Sequence, residues 1–178
     1  MRTHGDGVGE LPIALDLANP VSEPRTAGIQ KIVVAFSEVV EPVDGTLDSN
    51  DVSITDSAAT PYSARTLALI DGDTKLEITF DPGDLPDEER YTFEVIAAKF
   101  RSAASGLPLS GDTDCDVRGL VGDVNNDGST NLMDAARVKG KNRVPVTTAN
   151  APDDANTDGE INLIDYAMVK SLNGNSAP

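Results

Sequence analysis

Two twelve-residue segments near the end of the chain repeat one another. Residues 123–134 read DVNNDGSTNLMD and residues 154–165 read DANTDGEINLID, and the two align without gaps at an offset of 31 residues. Seven of the twelve positions are identical, and these carry the oxygen-bearing side chains, a glycine and one leucine. Oxygen donors at fixed spacing are typical of a loop that surrounds Ca²⁺, which takes about six to eight oxygen ligands.

The individual loop positions match what a calcium loop needs. Side-chain oxygens at positions 1, 3 and 5 surround the ion, glycine at position 6 allows a sharp turn, and position 7 supplies its backbone carbonyl. Position 9 usually acts through water, and a carboxylate at position 12 closes the ligand set at the start of a helix. The EF-hand pattern normally places Glu there, whereas both loops here have Asp, at Asp134 and Asp165. Two complete loops argue against a chance pair of Asx-rich turns.

Each loop is followed by a helical pattern. The spacing predicts helices over Leu132–Lys141 and Leu163–Leu172, and the two share alanine, valine and lysine at matched positions. The GLVG tetrapeptide at residues 119–122 is too short and too rich in glycine for a helix that enters the first loop. Each unit is therefore loop–helix, which differs from the helix–loop–helix of calmodulin-type EF-hands.

The combination of these motifs resembles the type I dockerin family. GDVNNDG at residues 122–128, a helix, a linker and a second such loop with Asp at position 12 carry the resemblance, which covers residues 119–174. It implies an all-α module with two calcium loop–helix repeats. Dockerins are calcium-dependent modules at the ends of secreted bacterial and some archaeal proteins, and they bind cohesin modules of other proteins, as in cellulosomes. The resemblance thus implies an extracellular or cell-surface protein with a cohesin partner, in a cellulosome-like, polysaccharide-related setting.

The resemblance also implies a ligand set for two Ca²⁺ ions. The implied ligands are Asp123, Asn125, Asp127, Ser129, Asn131 and Asp134 in the first loop, and Asp154, Asn156, Asp158, Glu160, Asn162 and Asp165 in the second. The position-7 residues would bind through main-chain oxygen, and the two Asn at position 9 through water or directly.

A partner face follows from the same family. Its contacts come from loop positions 10 and 11 and from helix residues near positions 17, 18 and 22. The corresponding residues here are Leu132, Met133, Lys139, Gly140, Val144, Leu163, Ile164, Lys170, Ser171 and Asn175. Many cellulosomal dockerins carry hydroxyl-bearing residues at positions 10 and 11, whereas this chain has apolar pairs, which speaks against a cellulosomal cohesin and for a drier contact. Two alternatives stay open for these pairs, namely contact with a partner and internal packing.

The near-twofold repeat has a consequence for binding. If both helices present similar surfaces, a partner can bind in either of two orientations related by about half a turn. The matched Lys139 and Lys170 and the apolar pairs support this hypothesis.

The N-terminal part predicts an all-β fold. Short runs rich in Val, Ile, Thr, Tyr and Phe alternate with turn signals such as Asp-Gly and Pro-Gly. The predicted strands are Leu11–Leu17, Ile29–Phe36, Asp51–Thr55, Ser63–Ile70, Lys75–Phe80, Tyr91–Ala98 and Thr113–Val117. About seven strands in about 110 residues are typical of an Ig-like sandwich. We place the boundary within residues 118–122, which gives an Ig-like module over residues 1–117 and a dockerin module over residues 118–178.

Two segments also resemble bacterial Ig-like modules of large surface and secreted proteins. KIVVAFSEVV at residues 31–40 resembles their opening strand, and SGLPLSGD at residues 105–112 resembles the turn near their C-terminal end. The resemblance covers about residues 19–117. Such modules are mostly spacers or weak binding units, and a fold alone does not specify a function.

Composition excludes several classes of partner. The formal net charge is −16, which argues against nucleic acid and anionic membranes because both carry the same sign. One cysteine cannot form an internal disulfide, and no run of about 18 apolar residues offers a transmembrane helix. Residues 1–10 lack the apolar core of a secretory signal. We therefore expect a piece of a longer secreted protein.

The chain offers little for catalysis. No nucleophile–base constellation is recognisable, Trp is absent, and 4% aromatic residues supply few platforms for sugar stacking. His4, the only histidine, lies in a Gly-rich start that we expect to be a disordered tail. Cys115 shares a strand face with Thr113 and Val117, which predicts a buried small hydrophobe. We expect a module that is not an enzyme. The alternative to cohesin binding is a structural calcium module packed on its own N-terminal part.

Overall fold

The N-terminal region, residues 1–119, is all-β. The computed structural model of the chain describes residues 1–5, 7–16 and 18–178. Within these residues the strands are β1 (Arg2–His4), β2 (Gly9–Leu11), β3 (Val21–Glu23), β4 (Lys31–Ala35), β5 (Val40–Pro42), β6 (Val52–Asp56), β7 (Thr66–Ile70), β8 (Lys75–Thr79), β9 (Glu89–Val95), β10 (Phe100–Ser102) and β11 (Asp114–Gly119). A 3-10 helix at Ala97–Lys99 connects β9 to β10.

Two larger sheets and two small ones organise these strands. The four-stranded sheet has the order β3-β11-β9-β6, and the three-stranded sheet has the order β4-β8-β7. β1 pairs with β2, and β5 pairs with β10. β3 runs parallel to β11, and the other pairings among the described strands are antiparallel. The all-β class predicted for the N-terminal part is confirmed.

The two larger sheets share one apolar core. Alternation along the strands places Leu76 and Ile78 of β8 and Tyr91 and Phe93 of β9 in this core, where all four are buried. Phe80 packs edge to face on Phe93 with ring centroids 5.9 Å apart, a favoured geometry for aromatic pairs. Apolar burial of this kind, at about 25 cal/mol per Å², stabilises the N-terminal region.

Six of the seven predicted strands are present, with ends shifted by up to a few residues. The predicted strand Leu11–Leu17 is wrong for residues 12–16, which are irregular, while Leu17 lies outside the described residues. β2 ends at Leu11 because Pro12 has no backbone N–H to continue a ladder. The strands that escaped prediction have three residues each, which is too short for alternation to show; they are β1, β2, β3, β5 and β10.

The C-terminal region, residues 120–178, contains two helices. α1 spans Leu132–Gly140 and α2 spans Leu163–Ser171, so both begin at the predicted residue and end one residue earlier than predicted. A 3-10 helix at Ala151–Asp153 precedes the second loop. The helix predictions are confirmed. Neither described helix has the length and apolar composition that a membrane crossing requires.

The two loop–helix repeats are tied to each other. Thr130 N of the first loop donates to Asn175 O, which follows α2, at 2.9 Å. Arg143 N, which follows α1, donates to Ile161 O of the second loop at 2.7 Å. Each loop thus pairs at its eighth position with the segment behind the other helix. The small core between the repeats contains Val124, Ala135, Val138, Ala155, Ile161 and Val169.

β11 leads directly into the first loop. The strand continues two residues past the predicted end of the N-terminal module, because Arg118 and Gly119 pair with β3 and β9. Leu120, the next residue, is fully buried. Gly122 N donates to Pro24 O at 2.8 Å, so the C-terminal region begins in direct contact with the segment after β3.

Candidate metal centre

Three carboxylates of the first loop converge. Asp123, Asp127 and Asp134 each offer an oxygen atom, and these atoms all lie within 4.8 Å of one another. Asp123 and Asp134 are buried, and Asp127 is exposed. Like charges at this separation repel one another, and a divalent cation removes the repulsion. The cluster has the donor chemistry of a calcium site.

Backbone amides shape the first loop around these carboxylates. Asp127 N donates to Asp123 Oδ1 at 3.0 Å, and Gly128 N donates to Asp123 Oδ2 at 2.9 Å. Gly128 has φ of +86°, a left-handed conformation in which a side chain would be strained, so glycine fits position 6. Ser129 N donates to Asp127 Oδ1 at 3.0 Å. These bonds hold the predicted ligands on one turn.

Asp134 joins the first loop to its helix. Its Oδ1 accepts a hydrogen bond from Asn125 N at 3.0 Å, and its Oδ2 accepts one from Asn131 N at 2.9 Å. Asn131 accepts from Met133 N at 2.7 Å, which completes a capping box at the start of α1. Burial raises the pKa of Asp134 above its usual range, and the two neighbouring loop carboxylates act in the same direction. Protons and a cation therefore compete for this carboxylate.

The second loop repeats this hydrogen-bond pattern. Asp165 accepts from Asn156 N at 3.1 Å and from Asn162 N at 2.9 Å, and a capping box starts α2. Gly159 N donates to Asp154 Oδ2 at 3.0 Å. Burial likewise raises the pKa of Asp165. The sequence repeat is thus also a repeat of individual hydrogen bonds.

One oxygen of the Asp154 carboxylate has no hydrogen-bond partner among the described residues. Asp154 is fully buried, and this oxygen is Oδ1. A carboxylate oxygen is costly to bury without a donor or a cation. A calcium ion in the second loop would satisfy it, so the residues fit that ion. In the part of the chain that the structure describes, three carboxylates converge within 4.8 Å in the first loop and not in the second.

The remaining predicted ligands lie on the same two loops. Asn125 and Asn156 donate from Nδ2 to the carboxylate at position 5, at 3.0 Å and 2.8 Å. Ser129 and Glu160, at position 7, donate their backbone N–H to that same carboxylate. Asn162 caps α2 as its counterpart caps α1. The remaining predicted ligands of each loop are therefore linked by hydrogen bonds within that loop, and the convergence of three carboxylates is confined to the first loop among the described residues.

The four apolar side chains at positions 10 and 11 face solvent. Leu132 is 61% exposed, Met133 70%, Leu163 57% and Ile164 62%. Internal packing, one of the two alternatives left by the sequence, is therefore wrong for these residues. Large apolar side chains are thus exposed at matched positions of the two helices.

The other residues predicted for the partner face are accessible as well. Lys139, Gly140, Val144, Lys170 and Ser171 are exposed, and Asn175 is half-buried. The ammonium groups of the two lysines lie 5.5 Å and 5.6 Å from the centre of the Tyr166 ring, within reach of a cation–π interaction. Sequence reasoning missed Tyr166, because one of these contacts crosses from α1 to α2.

Sequence reasoning also missed contacts from the N-terminal region to both loops. His4 is 2% exposed and its Nδ1 lies 2.6 Å from Asp154 Oδ2, so the expected disordered tail is wrong for this residue. Ser22 Oγ donates to Asp123 Oδ2 at 2.6 Å. These pairs are separated by 150 and 101 residues, and such long-range contacts leave no local pattern in a sequence.

Comparison with known proteins supports the description of the C-terminal region. The family model of the dockerin type I domain matches residues 121–173, which confirms the resemblance and the general expectation of a calcium-dependent, cohesin-binding domain. The all-β N-terminal region is consistent with an Ig-like module before it. No curated protein matches the chain.

One solved structure with similarity is the crystal structure of the S-layer protein rSbsC. The alignment has 17% sequence identity and a TM-score of 0.41, and it covers 57% of this chain. The chain spans 13% of the length of that protein.

Proposed function

We propose that the chain is a non-catalytic, calcium-dependent interaction module whose dockerin attaches a larger secreted protein to a cohesin of another protein. One observation carries the proposal: the apolar pairs at positions 10 and 11 are exposed at the start of two matched helices. These pairs lie within the residues that match the dockerin family. The N-terminal region then serves as an Ig-like spacer between this contact and the rest of the secreted protein.

Calcium gives the partner face its shape in this proposal. When bound in the two loops, the ion supplies positive charge that holds together carboxylates which otherwise repel one another. Asp134 and Asp165 each link a loop to the first turn of a helix. That first turn carries the apolar pair, so ordering of a loop fixes the position of the pair that follows it.

The chemistry of the face indicates the chemistry of the partner. The apolar pairs favour a dry contact with an apolar surface. Lys139 and Lys170 place two positive charges beside Tyr166 on a chain with a net charge of −16. Acidic groups on the partner would complement these lysines and would speed its association. Because the two repeats present similar side chains, the partner can bind in two orientations related by about half a turn.

A second candidate function is favoured by the contacts between the two regions. Both calcium loops bind the N-terminal region, through Ser22 and His4. A structural calcium module that stabilises its own chain would need such contacts and would not need exposed apolar pairs. The exposure of the pairs makes cohesin binding the first candidate.

Calorimetric titration with a cohesin from the same organism tests the proposal. The calcium-loaded chain should bind, and EDTA should abolish binding. Substitution by aspartate of Leu132 and Met133 together, or of Leu163 and Ile164 together, should leave one orientation and retain binding. Substitution of all four should abolish it.

Leu107→Asp is the matched control. Leu107 is 65% exposed, as the four apolar residues are, but it lies in the N-terminal region, so its substitution should leave binding unchanged. Binding that survives the fourfold substitution would exclude this face. Complete loss from one pair alone would exclude two orientations, and calcium binding without any cohesin binding would favour the structural module.

A further inference from the structure

Both calcium loops contact the N-terminal region through the same two loop positions. At position 1, Asp123 and Asp154 each accept a hydrogen bond from a side chain of that region. At position 4, Asn126 and Thr157 each accept one from its backbone. The two position-4 residues also share a left-handed conformation, with φ of +65° and +61°. The same two loop positions therefore form the contact with the N-terminal region in both repeats.

Ser22 reaches the first loop from β3. Its Oγ donates to Asp123 Oδ2 at 2.6 Å, and its backbone N donates to Asn126 Oδ1 at 2.6 Å. Ser22 and Asp123 are both buried, so the hydrogen bond between their side chains is shielded from water. The other oxygen of Asp123 accepts from Asp127 N within the loop. Ser22 therefore fixes the orientation of the position-1 carboxylate from outside the loop.

His4 has the same role at the second loop. Its Nδ1 lies 2.6 Å from Asp154 Oδ2, and its Nε2 lies 3.1 Å from Arg25 Nη1. A guanidinium can only donate, so Nε2 is the acceptor and Nδ1 carries the proton that is donated to Asp154. Glu23 holds Arg25 through two hydrogen bonds of 2.6 Å. All four side chains are buried, so Arg25 and Glu23 lock the ring in the orientation that serves Asp154.

The bond from His4 determines which oxygen of Asp154 is left for a ligand. Oδ2 accepts from both His4 and Gly159 N, whereas the buried Oδ1 has no partner within residues 1–5, 7–16 and 18–178. A hydrogen bond from outside the ligand set orients a metal ligand, and its removal typically lowers metal affinity about 10–100-fold.

Close backbone contact holds His4 in place. Gly5 N donates to Thr157 O at 3.0 Å, and Thr26 N donates to a carbonyl of the second loop at 2.7 Å. A Cβ at residue 5 would lie 2.3 Å from Asp158 O, so glycine is required for the approach of this hairpin. The segment at the start of the chain thus packs directly on the second loop.

We propose that Ser22 and His4 are positioning residues for the two calcium sites, so that the N-terminal region supplies outer hydrogen bonds to both. The proposal rests on calcium binding by the loops, which is part of the proposed function. By linkage, a contact that strengthens calcium binding is itself strengthened by calcium, by the same factor. Calcium therefore fixes the orientation of the partner face relative to the N-terminal region.

Variants with one working loop separate the two residues. Asp158→Ala leaves the first loop as the calcium site, and Asp127→Ala leaves the second. Calcium affinity is measured by calorimetric titration of the full chain in each background. We expect Ser22→Ala to weaken calcium binding about 10–100-fold in the Asp158→Ala background, and His4→Ala to do the same in the Asp127→Ala background.

The crossed combinations are the controls. Ser22→Ala with Asp127→Ala, and His4→Ala with Asp158→Ala, should leave affinity unchanged, because each residue then faces the disabled loop. Ser22→Thr keeps the hydroxyl and should keep the affinity. Equal weakening in both backgrounds, which indicates a general loss of fold, or no weakening in either, would overturn the proposal. If the parent chain binds no calcium, the proposed function fails together with this inference.

Hydrogen exchange of the full chain tests the reciprocal effect, which is that of calcium on the contacts between the loops and the N-terminal region. Gly5 N, Ser22 N and Thr26 N donate to the two loops, so calcium should slow their exchange. Ser22→Ala should reduce the calcium effect at residue 22, and His4→Ala should reduce it at Gly5. Exchange at all three amides that does not respond to calcium would overturn the linkage.

Discussion

The two regions of the chain have different kinds of interior. The N-terminal core is apolar and contains four buried aromatic rings, those of Phe80, Tyr91, Phe93 and Phe100. The C-terminal core consists of six smaller apolar side chains, two of them alanine. Its other buried side chains include the carboxylates of Asp123, Asp134, Asp153, Asp154 and Asp165. The first region is stabilised by apolar burial, whereas the second depends on what neutralises its buried charge.

Within the described part of the chain, one buried carboxylate outside the two loops pairs with positively charged side chains, which the loop carboxylates Asp134 and Asp165 do not. Asp153 is fully buried and forms ion pairs with Arg137 at 2.9 Å and with Lys141 at 2.6 Å. The buried loop carboxylates Asp134 and Asp165 instead accept hydrogen bonds from backbone amides. The chain thus provides its own cations for a carboxylate outside the loops, and the loops are arranged for a cation from solution.

Removal of calcium should produce the largest difference between the two regions. EDTA should remove most of the helical far-UV circular dichroism while the β signal persists, because the predicted calcium ligands lie in the C-terminal region and the N-terminal core is apolar. Scanning calorimetry should then show two transitions, of which one moves with calcium concentration. An unchanged spectrum on addition of EDTA would contradict this comparison.

A cavity in the N-terminal core should destabilise the N-terminal region by the same amount with and without calcium. Leu76 is fully buried in β8, and Leu76→Ala should lower the free energy of unfolding by about 2–5 kcal/mol. Urea unfolding should give the same loss in calcium and in EDTA. Val169→Ala, at a fully buried position of α2, is the matched substitution, and its effect should be measurable only in calcium. A calcium-dependent cost for Leu76→Ala would show that the two interiors unfold as one.

Acidification should stabilise the C-terminal region in the absence of calcium and should weaken its binding of calcium. In the metal-free chain, burial first and neighbouring carboxylates second raise the pKa values of Asp134 and Asp165. A raised pKa in the folded state stabilises the fold below the unfolded-state value, and this contribution is lost as pH rises through the folded-state value. Calcium requires the ionised carboxylates, so calcium affinity should fall as pH falls through the same range.

Calcium titrations, and the helical circular dichroism in EDTA, both measured between about pH 7 and about pH 4, check both signs. In EDTA the helical signal should increase as pH falls, and Asp134→Asn, which removes one titrating group, should weaken calcium binding and flatten this pH dependence. A helical signal in EDTA that falls on acidification would contradict the sign.

The loop–helix repeats could be predicted because their determinants are local. In each repeat the helix cap and the closing carboxylate are three residues apart, as in Asn131 and Asp134, so the sequence places the helix start within one residue. Alternation located β8 and β9 for the same reason, since each strand is long enough to show which side chains share a face.

The rest could not be predicted because it depends on contacts between distant residues. A Gly-rich start has the composition of a tail, and contact with Thr157 and Asp154 gives it a defined position. The periodicity of α1 and α2 shows which side chains share a face, but it does not show whether Leu132 and Leu163 are buried or exposed. Three-residue strands such as β3 owe their position to a neighbouring strand and loop.

Cys115 should show the smallest effect, since it reports on an interior that does not depend on calcium. The thiol is buried, which confirms the prediction from strand alternation. Burial first, and then Asp116, Asp114 and Asp112, raise the pKa of Cys115 to about 11. The thiolate is the reactive form, so an aromatic disulfide reagent should react slowly near neutral pH, at the same rate in calcium and in EDTA. Urea should accelerate the reaction by exposing the thiol. Acceleration by EDTA alone would mean that the N-terminal interior opens when the calcium loops lose their ion, and the separation of the two interiors would then be wrong.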